Sequence, residues 1–326
     1  MRILVTGGAG FIGSHVCERW LERGDDVVSL DDFSSGSPGN LSGLEAHPRF
    51  RAVEGSVRDS ARVETLMAGR DVVFHLAAAV GVRRVLEHPR ETFETNIEGT
   101  RVVLNAAAKC GARVLFASSS EVYGQGLRIP FREEDPLLIG TTDEPRWSYA
   151  FSKAAGEALG FAHARESGVK FLVVRLFNTV GPRQTGRYGM VLPRFVRQAL
   201  AGEPITVYGD GTQTRCFIHV RDTARALVSL ASMDASYGRV FNVGSTNEVT
   251  ILSLARLVRR ISHSDSPVVH MPYREAYGTE MCDLQRRRPD VTHLCESIGE
   301  PVSFTLEETV AELVESALPC SVSQGT

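Results

Sequence analysis

The chain has 326 residues, 43% of them hydrophobic, with 36 Lys+Arg against 39 Asp+Glu and a formal net charge of −3. Such a length fits one large domain or two interlocked ones, with a core that needs neither disulfides nor structural metals. Near-balanced charge argues against a nucleic-acid binder, and ordinary apolar content excludes intrinsic disorder.

Arg2–Thr6 reads as a strand, and Phe11–Arg23 carries helical spacing through Ile12, Val16 and Trp20. Asp26–Leu30 is a second strand that runs into Asp31-Asp32. Apolar runs at Val72–Leu76, Val114–Ala117 and Lys170–Arg175 predict buried strands, with helices over Glu94–Lys109 and Tyr149–Glu166 between them. This βαβ alternation predicts an α/β fold, a Rossmann-type doubly wound parallel sheet with right-handed crossovers. After Asn178 the pattern shortens: helix Val191–Ala201, strand Ile205–Tyr208, a Gly209-Asp210-Gly211 turn and strand Arg215–His219. Helix Arg221–Ser232, strand Val240–Val243 and helix Ile251–Ser262 follow. We read residues 1–178 as a dinucleotide-binding domain with a returning segment near 215–245, and residues 179–316 as a smaller C-terminal α/β substrate lobe. Residues 317–326 form a frayed tail.

The six cysteines (Cys17, Cys110, Cys216, Cys282, Cys295, Cys320) are scattered with no C-x-x-C pair, so neither a disulfide framework nor a metal site is expected. No signal region precedes the first strand, and no run approaches the roughly 18 apolar residues of a membrane span. A cytoplasmic protein with reduced thiols and no membrane attachment is the expectation.

Gly7, Gly10 and Gly13 form a G-x-x-G-x-x-G run directly after a strand, opening a helix with Phe11 and Ile12. Residues without Cβ let backbone approach a pyrophosphate, and the helix N-terminus offers it free N–H groups. Asp31 lies at the end of the second strand, where a carboxylate bonds the adenosine ribose and repels a 2′-phosphate, so NAD is favoured over NADP. Asp32 and Phe33 continue along the same edge, and Ser56 and Val57 are placed beside the adenine. Leu76, Ala77 and Ala78 end the fourth strand against the cofactor, while His75 reads as a satisfied core histidine. Asn96 is either a helix cap or a polar contact on the cofactor side.

Tyr149 and Lys153 form Y-x-x-x-K, which places both on one helix face. A phenol with a pKa of about 10 acts as a base at neutral pH only if its phenolate is stabilised, which an ammonium group and a positive nicotinamide ring provide. Ser118-Ser119-Ser120-Glu121 ends the strand before it. With these residues the sequence resembles the extended short-chain dehydrogenase/reductase family, specifically its nucleotide-sugar epimerases, dehydratases and decarboxylases. The resemblance runs from the glycine loop to about Val314, through Ser119, Tyr149/Lys153, Asn178 and Arg215. It implies that Tyr149 removes the sugar 4-hydroxyl proton, with Ser119 holding the same oxygen. Ser120-Glu121 is similar to the pair in UDP-glucuronate decarboxylases and GDP-mannose 4,6-dehydratases, and differs from the Asp-Glu of dTDP-glucose 4,6-dehydratases. Gln285–Asp290 looks like the arginine motif of UDP-glucuronate decarboxylases, with Arg287 at the catalytic position. UDP-apiose/xylose synthases are similar too, although they carry Cys where Ser120 stands.

Oxidising C4 of a uronic acid creates a β-keto acid, which loses CO₂ into an enolate. Arg287 is a fixed cationic fork suited to the carboxylate, Tyr149 and Ser119 can donate to the enolate oxygen, and Ser120 and Glu121 are placed to handle the C5 proton. The resemblance implies a nucleotide sugar, UDP-linked, as substrate; Arg183 and Arg215 are candidates to pair its pyrophosphate, Asn178 to bond the pyrophosphate or the sugar, and Tyr208, beside Gly209, to stack on the base. A UDP-sugar 4-epimerase is the runner-up, a 4,6-dehydratase third, and an NAD-sensing interaction protein the non-enzymatic alternative. The 23 residues from Gln125 to Trp147 read as a lid. A homodimer is implied by the family, with helices Glu94–Lys109 and Tyr149–Glu166 as its seam.

Overall fold

A computed structural model describes residues 1–186, 190–277 and 284–318. Cys282, Cys320 and most of the expected tail lie outside the described residues.

The first half alternates strand and helix: β1 (Arg2–Thr6), α1 (Phe11–Glu22), β2 (Asp26–Asp31), β3 (Phe50–Glu54), α2 (Ser60–Met67) and β4 (Val72–His75). It continues through α3 (Val82–Glu87), α4 (Pro89–Cys110), β5 (Arg113–Ser119), α5 (Ser148–Ser167) and β6 (Phe171–Leu176). The second half contains β7 (Thr179–Val180), α6 (Val191–Leu200), β8 (Ile205–Tyr208), β9 (Thr214–Cys216), β10 (Ile218–His219) and α7 (Val220–Ala231). Then come β11 (Val240–Val243), β12 (Glu248–Thr250), α8 (Ile251–Ile261), β13 (Val268–Met271) and α9 (Tyr273–Tyr277). The last are β14 (Arg286–Arg287), α10 (Thr292–Ile298) and α11 (Leu306–Ala317).

Seven parallel strands form the main sheet in the order β11-β6-β5-β4-β1-β2-β3. Strand order reverses between β1 and β4, so a crevice opens there at the carboxyl ends of the strands, where open α/β sheets bind ligands. Both faces are covered, which is why strands such as Val72–His75 are buried throughout rather than alternating. One face packs Val16, Trp20, Leu227 and Leu230 of α1 and α7; the other packs Val63, Met67, Val103 and Ala107 of α2 and α4. A separate core, with Phe195, Val207, Leu254 and Val310 at its centre, holds the C-terminal lobe together. Chain segments cross between the two parts, since β11 returns from beyond α7 to the edge of the main sheet.

Helix α5 lies close over β5 and β6 because small residues face them. A Cβ at Gly160 would sit 2.0 Å from Cζ of Phe171, and one at Gly156 2.5 Å from Cζ of Phe116. This closeness brings the Lys153 side chain, on the same helix, down to the sheet. Replacing Gly160 with Ala should therefore cost about 1–3 kcal/mol through forced ring movement, read as a lower urea midpoint with an unchanged slope. An unchanged midpoint would show that the helix can lift without cost.

Candidate active site

The glycine loop fits a dinucleotide. Helix α1 begins after Gly10 with no side-chain cap, so the N–H groups of its first turn, including Phe11 and Ile12, have no acceptor within the helix. The loop is packed backbone to backbone: a Cβ at Gly13 would lie 2.0 Å from the Gly7 oxygen, and one at Gly7 2.7 Å from the Ala77 nitrogen. Asp31 accepts from the amides of Ala9 and Phe33, both at 2.9 Å. Burial nonetheless pushes its carboxyl above the usual range, with these amides opposing. Phe33 takes a left-handed φ of 55° to turn the chain back over the loop, where Ser37 and Asn40 hold the Ala9 carbonyl. Asp32 is exposed and caps the Ser34 amide.

Leu76, Ala77 and Ala78 are half-buried at the end of β4, as small residues beside a bound cofactor would be. Ser56 bonds the Arg58 amide, and Val57 is buried in the α2–α4 layer against Gly99. His75 is a core residue: Nδ1 meets Thr6 Oγ1 at 2.9 Å, Nε2 meets Thr100 Oγ1 at 3.1 Å, and burial pulls its pKa down to about 3. Asn96 is no helix cap, because α4 starts at Pro89, well before it. Its amide holds both backbone groups of Ala79, at 2.8 and 3.2 Å, and donates to Ser152 Oγ at 3.0 Å. It thus straps the segment after β4 to the helix of Tyr149 and Lys153.

Ser119 ends β5 and its hydroxyl caps the short helical turn Ser120–Tyr123 by accepting from the Glu121 amide at 3.2 Å. Ser120 is buried. Burial and then the Glu121 charge push the Tyr149 phenol above its ordinary value, while a hydrogen bond with Ser119 pulls it down. Lys153 donates from Nζ to the Ala117 carbonyl at 2.7 Å and lies 5.8 Å from the centre of the Tyr149 ring. Its pKa is drawn down to about 8 by burial, against an upward pull from Glu157.

Arg287 reaches the site from the other lobe. In β14 it stands opposite Arg215 of β9, so the two arginines share one strand face. Arg286 alternates to the opposite face, where its Nε is 3.0 Å from Glu248. Strand geometry decides which of the three adjacent arginines turns inward. Arg287 is 6% exposed, with Nη1 2.5 Å from Glu121 Oε1, which closes a link from β14 to the end of β5. Arg215 donates to the carbonyls of Thr214 and Leu284, both at 2.8 Å. Asn178 donates to the Cys216 carbonyl at 3.1 Å, beside Arg215.

Two expected substrate contacts are engaged elsewhere. Arg183, at a left-handed φ of 69°, pairs with Glu18 of α1 at 2.5 Å, and Tyr208 has the Arg194 guanidinium 3.8 Å above its ring. The stretch Gln125–Trp147 is not a free flap. Phe131 is 1% exposed and exchanges backbone hydrogen bonds with Arg288 and Asp290, both sides of the segment after Arg287. Asn242, fully buried in β11, ties this together by accepting from Tyr123 Oη and donating to the carbonyls of Phe131 and Asp290. Sequence reasoning missed Asn242, Glu157 and Arg175; a polar residue inside an otherwise apolar strand or small-residue helix was the available signal.

Residues 3–244 match the model of the NAD dependent epimerase/dehydratase family. The chain belongs to that family. It is an enzyme fold whose cofactor is NAD, in keeping with the uncapped α1 terminus and Asp31. The chain is 40% identical over 316 residues to UDP-N-acetyl-alpha-D-glucosaminuronate decarboxylase of Bacillus cytotoxicus, covering 96% of this chain and 97% of that one. It is 35% identical to UDP-glucuronic acid decarboxylase 1 of Arabidopsis thaliana, over 96% of this chain and 69% of the relative. Among solved structures, UDP-glucuronic acid 4-epimerase from Bacillus cereus, in complex with UDP-glucuronic acid and NAD, superposes with a TM-score of 0.87 at 26% identity. It covers 97% of this chain and 98% of that one.

Asp31→Ser should weaken NAD binding roughly tenfold, the loss of one charge-assisted hydrogen bond, and narrow the preference over NADP. Calorimetric titration with both dinucleotides checks this, and an unchanged ratio of affinities would contradict the assignment.

Proposed function

We propose that this family member oxidises C4 of a UDP-linked hexuronate and releases its carboxylate as CO₂, converting UDP-glucuronate to UDP-xylose or to the UDP-linked 4-keto pentose. The observation that carries this reading is Arg287, buried and facing Glu121 at the end of the strand that supplies Ser119. A hexuronate decarboxylase must hold its substrate carboxylate, for which Arg287 is a fixed cation; a UDP-glucose 4-epimerase has no carboxylate to hold, and a UDP-glucuronate 4-epimerase is told apart by its isobaric product.

Tyr149 takes the 4-hydroxyl proton, and Ser119 holds the same oxygen. When bound, NAD supplies the hydride acceptor for C4 and a positive ring near the phenol. Lys153, with Nζ 5.8 Å from the Tyr149 ring centre, adds a second positive charge to oppose the burial that keeps the phenol protonated. With C4 a ketone, the C5–C6 bond breaks, CO₂ leaves and its bonding electrons pass to the C4 oxygen as an enolate. Tyr149, now protonated, and Ser119 donate to that oxygen. Arg287 orients the carboxylate, and Glu121, with Ser120 beside it, positions a water that passes a solvent proton to C5; return of the hydride to C4, with the Tyr149 proton passing to O4, then gives UDP-xylose, and release before that step gives the 4-keto pentose. Arg215, on the same strand face as Arg287, serves the pyrophosphate with Asn178. Arg183 and Tyr208 are assigned to substrate on the family pattern, and each must exchange its present partner to reach it.

The relative from Bacillus cytotoxicus is named for a 2-acetamido uronate, which favours a second substrate within the same chemistry. Incubation of the protein and NAD with UDP-glucuronate and with its 2-acetamido analogue, followed by mass spectrometry, separates the readings. A product lighter by one CO₂ is expected; an isobaric product would favour the 4-epimerase, and loss of water the dehydratase. Tyr149→Phe should lower turnover by about 10²–10⁴-fold. Arg287→Ala should abolish CO₂ release, and full CO₂ release by that variant would contradict its role.

We also assign a homodimer whose seam is formed by α4 and α5, and a cytoplasmic location. Helix α5 turns Phe151, Ala155, Ala158 and Ala162 outward with no charged residue among them, and Phe93 of α4 is 39% exposed. The described cysteines, Cys17, Cys110, Cys216 and Cys295, are free thiols. Among the described residues no helix is long and apolar enough to cross a membrane. Light scattering should give twice the chain mass for the wild type and the monomer mass for Ala158→Glu; a monomeric wild type would contradict the seam.

A further inference from the structure

Of the 36 Lys+Arg residues only three are lysines: Lys109, Lys153 and Lys170. Lys109 and Lys170 lie on the surface, 2.5 Å from Glu64 and 2.9 Å from Asp234. Lys153 is buried, its Nζ held by the Ala117 carbonyl at 2.7 Å and placed 5.0 Å over the Phe116 ring. One helical turn further along α5, Glu157 occupies the same inner face. Ser118, next to the residue whose carbonyl holds Lys153, donates its hydroxyl to Glu157. Arg175 of β6 grips Glu157 as a fork, Nε to Oε1 at 3.0 Å and Nη2 to Oε2 at 2.8 Å. Both members are 5% exposed. Arg175 is held in turn by the Glu133 carbonyl at 3.1 Å and lies 4.8 Å over the Tyr123 ring.

The Glu157–Arg175 pair is buried and is not among the residues assigned to the reaction or to substrate. A buried ion pair is weak evidence for stability, since apolar residues of equal volume often serve as well or better. Its placement points to another use. We propose that the Glu157–Arg175 pair is a positioning device for the Tyr149–Lys153 centre, a fixed buried dipole whose negative end keeps the Lys153 ammonium charged and seated on the Ala117 carbonyl. The pair acts through Lys153, so Glu157 and Arg175 are positioning residues. This rests on the reading of Tyr149 and Lys153 as the C4 proton-transfer centre.

The ionisable groups around Lys153 come from several elements. Tyr149 and Glu157 share its helix, His75 faces it from β4, Arg175 lies beyond Glu157 on β6, and the Glu121–Arg287 pair stands beyond Tyr149. His75 stays neutral, with both ring nitrogens occupied, and Glu121 is matched by Arg287. Glu157 is the anion that pulls the Lys153 pKa upward against burial. Removing its charge must lower the ionisation midpoint of Lys153; removing the Arg175 charge, which offsets that of Glu157, must raise it.

Lysine NMR reads this directly, because a full chain labelled at its lysine side-chain termini gives three signals, of which Lys109→Arg and Lys170→Arg assign the two exposed ones. Glu157→Gln should move the Lys153 midpoint down by on the order of one pH unit, Arg175→Met should move it up, and Arg175→Lys should leave it in place. The double variant Glu157→Gln/Arg175→Met leaves neither member of the pair uncompensated, so it remains measurable where a single variant loses its fold; it should shift the midpoint down. Purely structural residues would change stability without opposite shifts. A midpoint unmoved in Glu157→Gln or in the double variant, or shifts of the same sign in Glu157→Gln and Arg175→Met, would overturn the proposal. The titration needs no substrate, so it fails or succeeds independently of the UDP-hexuronate reading, whose own failure appears as an absent product.

Discussion

A lysine ammonium buried beside the sheet must be satisfied without water, and the architecture around Lys153 follows from that constraint. The Ala117 carbonyl at the end of β5 accepts from it, Glu157 supplies opposite charge, and Gly156 and Gly160 let the helix come close enough for both. The same closeness places Tyr149, one turn earlier, against Ser119. The geometry of the proposed reaction centre is a consequence of helix-on-sheet packing, with Asn96 also holding the helix through Ser152.

A second constraint is the pleat of a two-residue strand. Because β14 pairs with β9, Arg287 and Arg215 fall on one face and Arg286 on the other, where Glu248 neutralises it. Two buried arginines are thereby gathered on one face in a chain whose net charge is −3, as the proposed substrate, with its pyrophosphate and carboxylate, requires. The segment after β14 is clamped by Phe131 and Asn242, so the long connection between β5 and α5 helps to hold Arg287 in register. Leu127 and Leu138 turn their side chains outward from this connection, while the Leu138 backbone is bonded to Tyr123 and Gln125.

Much of this was legible in the sequence where periodicity or a motif had a physical cause. The spans Arg2–Thr6, Ile205–Tyr208 and Val240–Val243 are strands as read, and the glycine loop opens α1 as its spacing requires. Helix α4 extends back to Pro89, which fits a first-turn position where its missing N–H costs nothing. The run Arg215–His219, read as one strand, divides at Phe217 because β9 pairs with β12 and β14 while β10 pairs with β7. No local pattern encodes such a change of partner. The connections among Glu157, Arg175, Tyr123 and Asn242 were equally hidden, since they join residues far apart in sequence and only the sheet order brings them together.

The central claim is that oxidation at C4 precedes and drives loss of the carboxylate. Its most direct test is a single turnover with UDP-glucuronate carrying deuterium at C4, following reduced nicotinamide by absorbance and CO₂ release in parallel. Reduced nicotinamide should appear no later than CO₂, and deuterium should slow both. Release of CO₂ with no reduced nicotinamide formed, and at the same rate from labelled and unlabelled substrate, would contradict it.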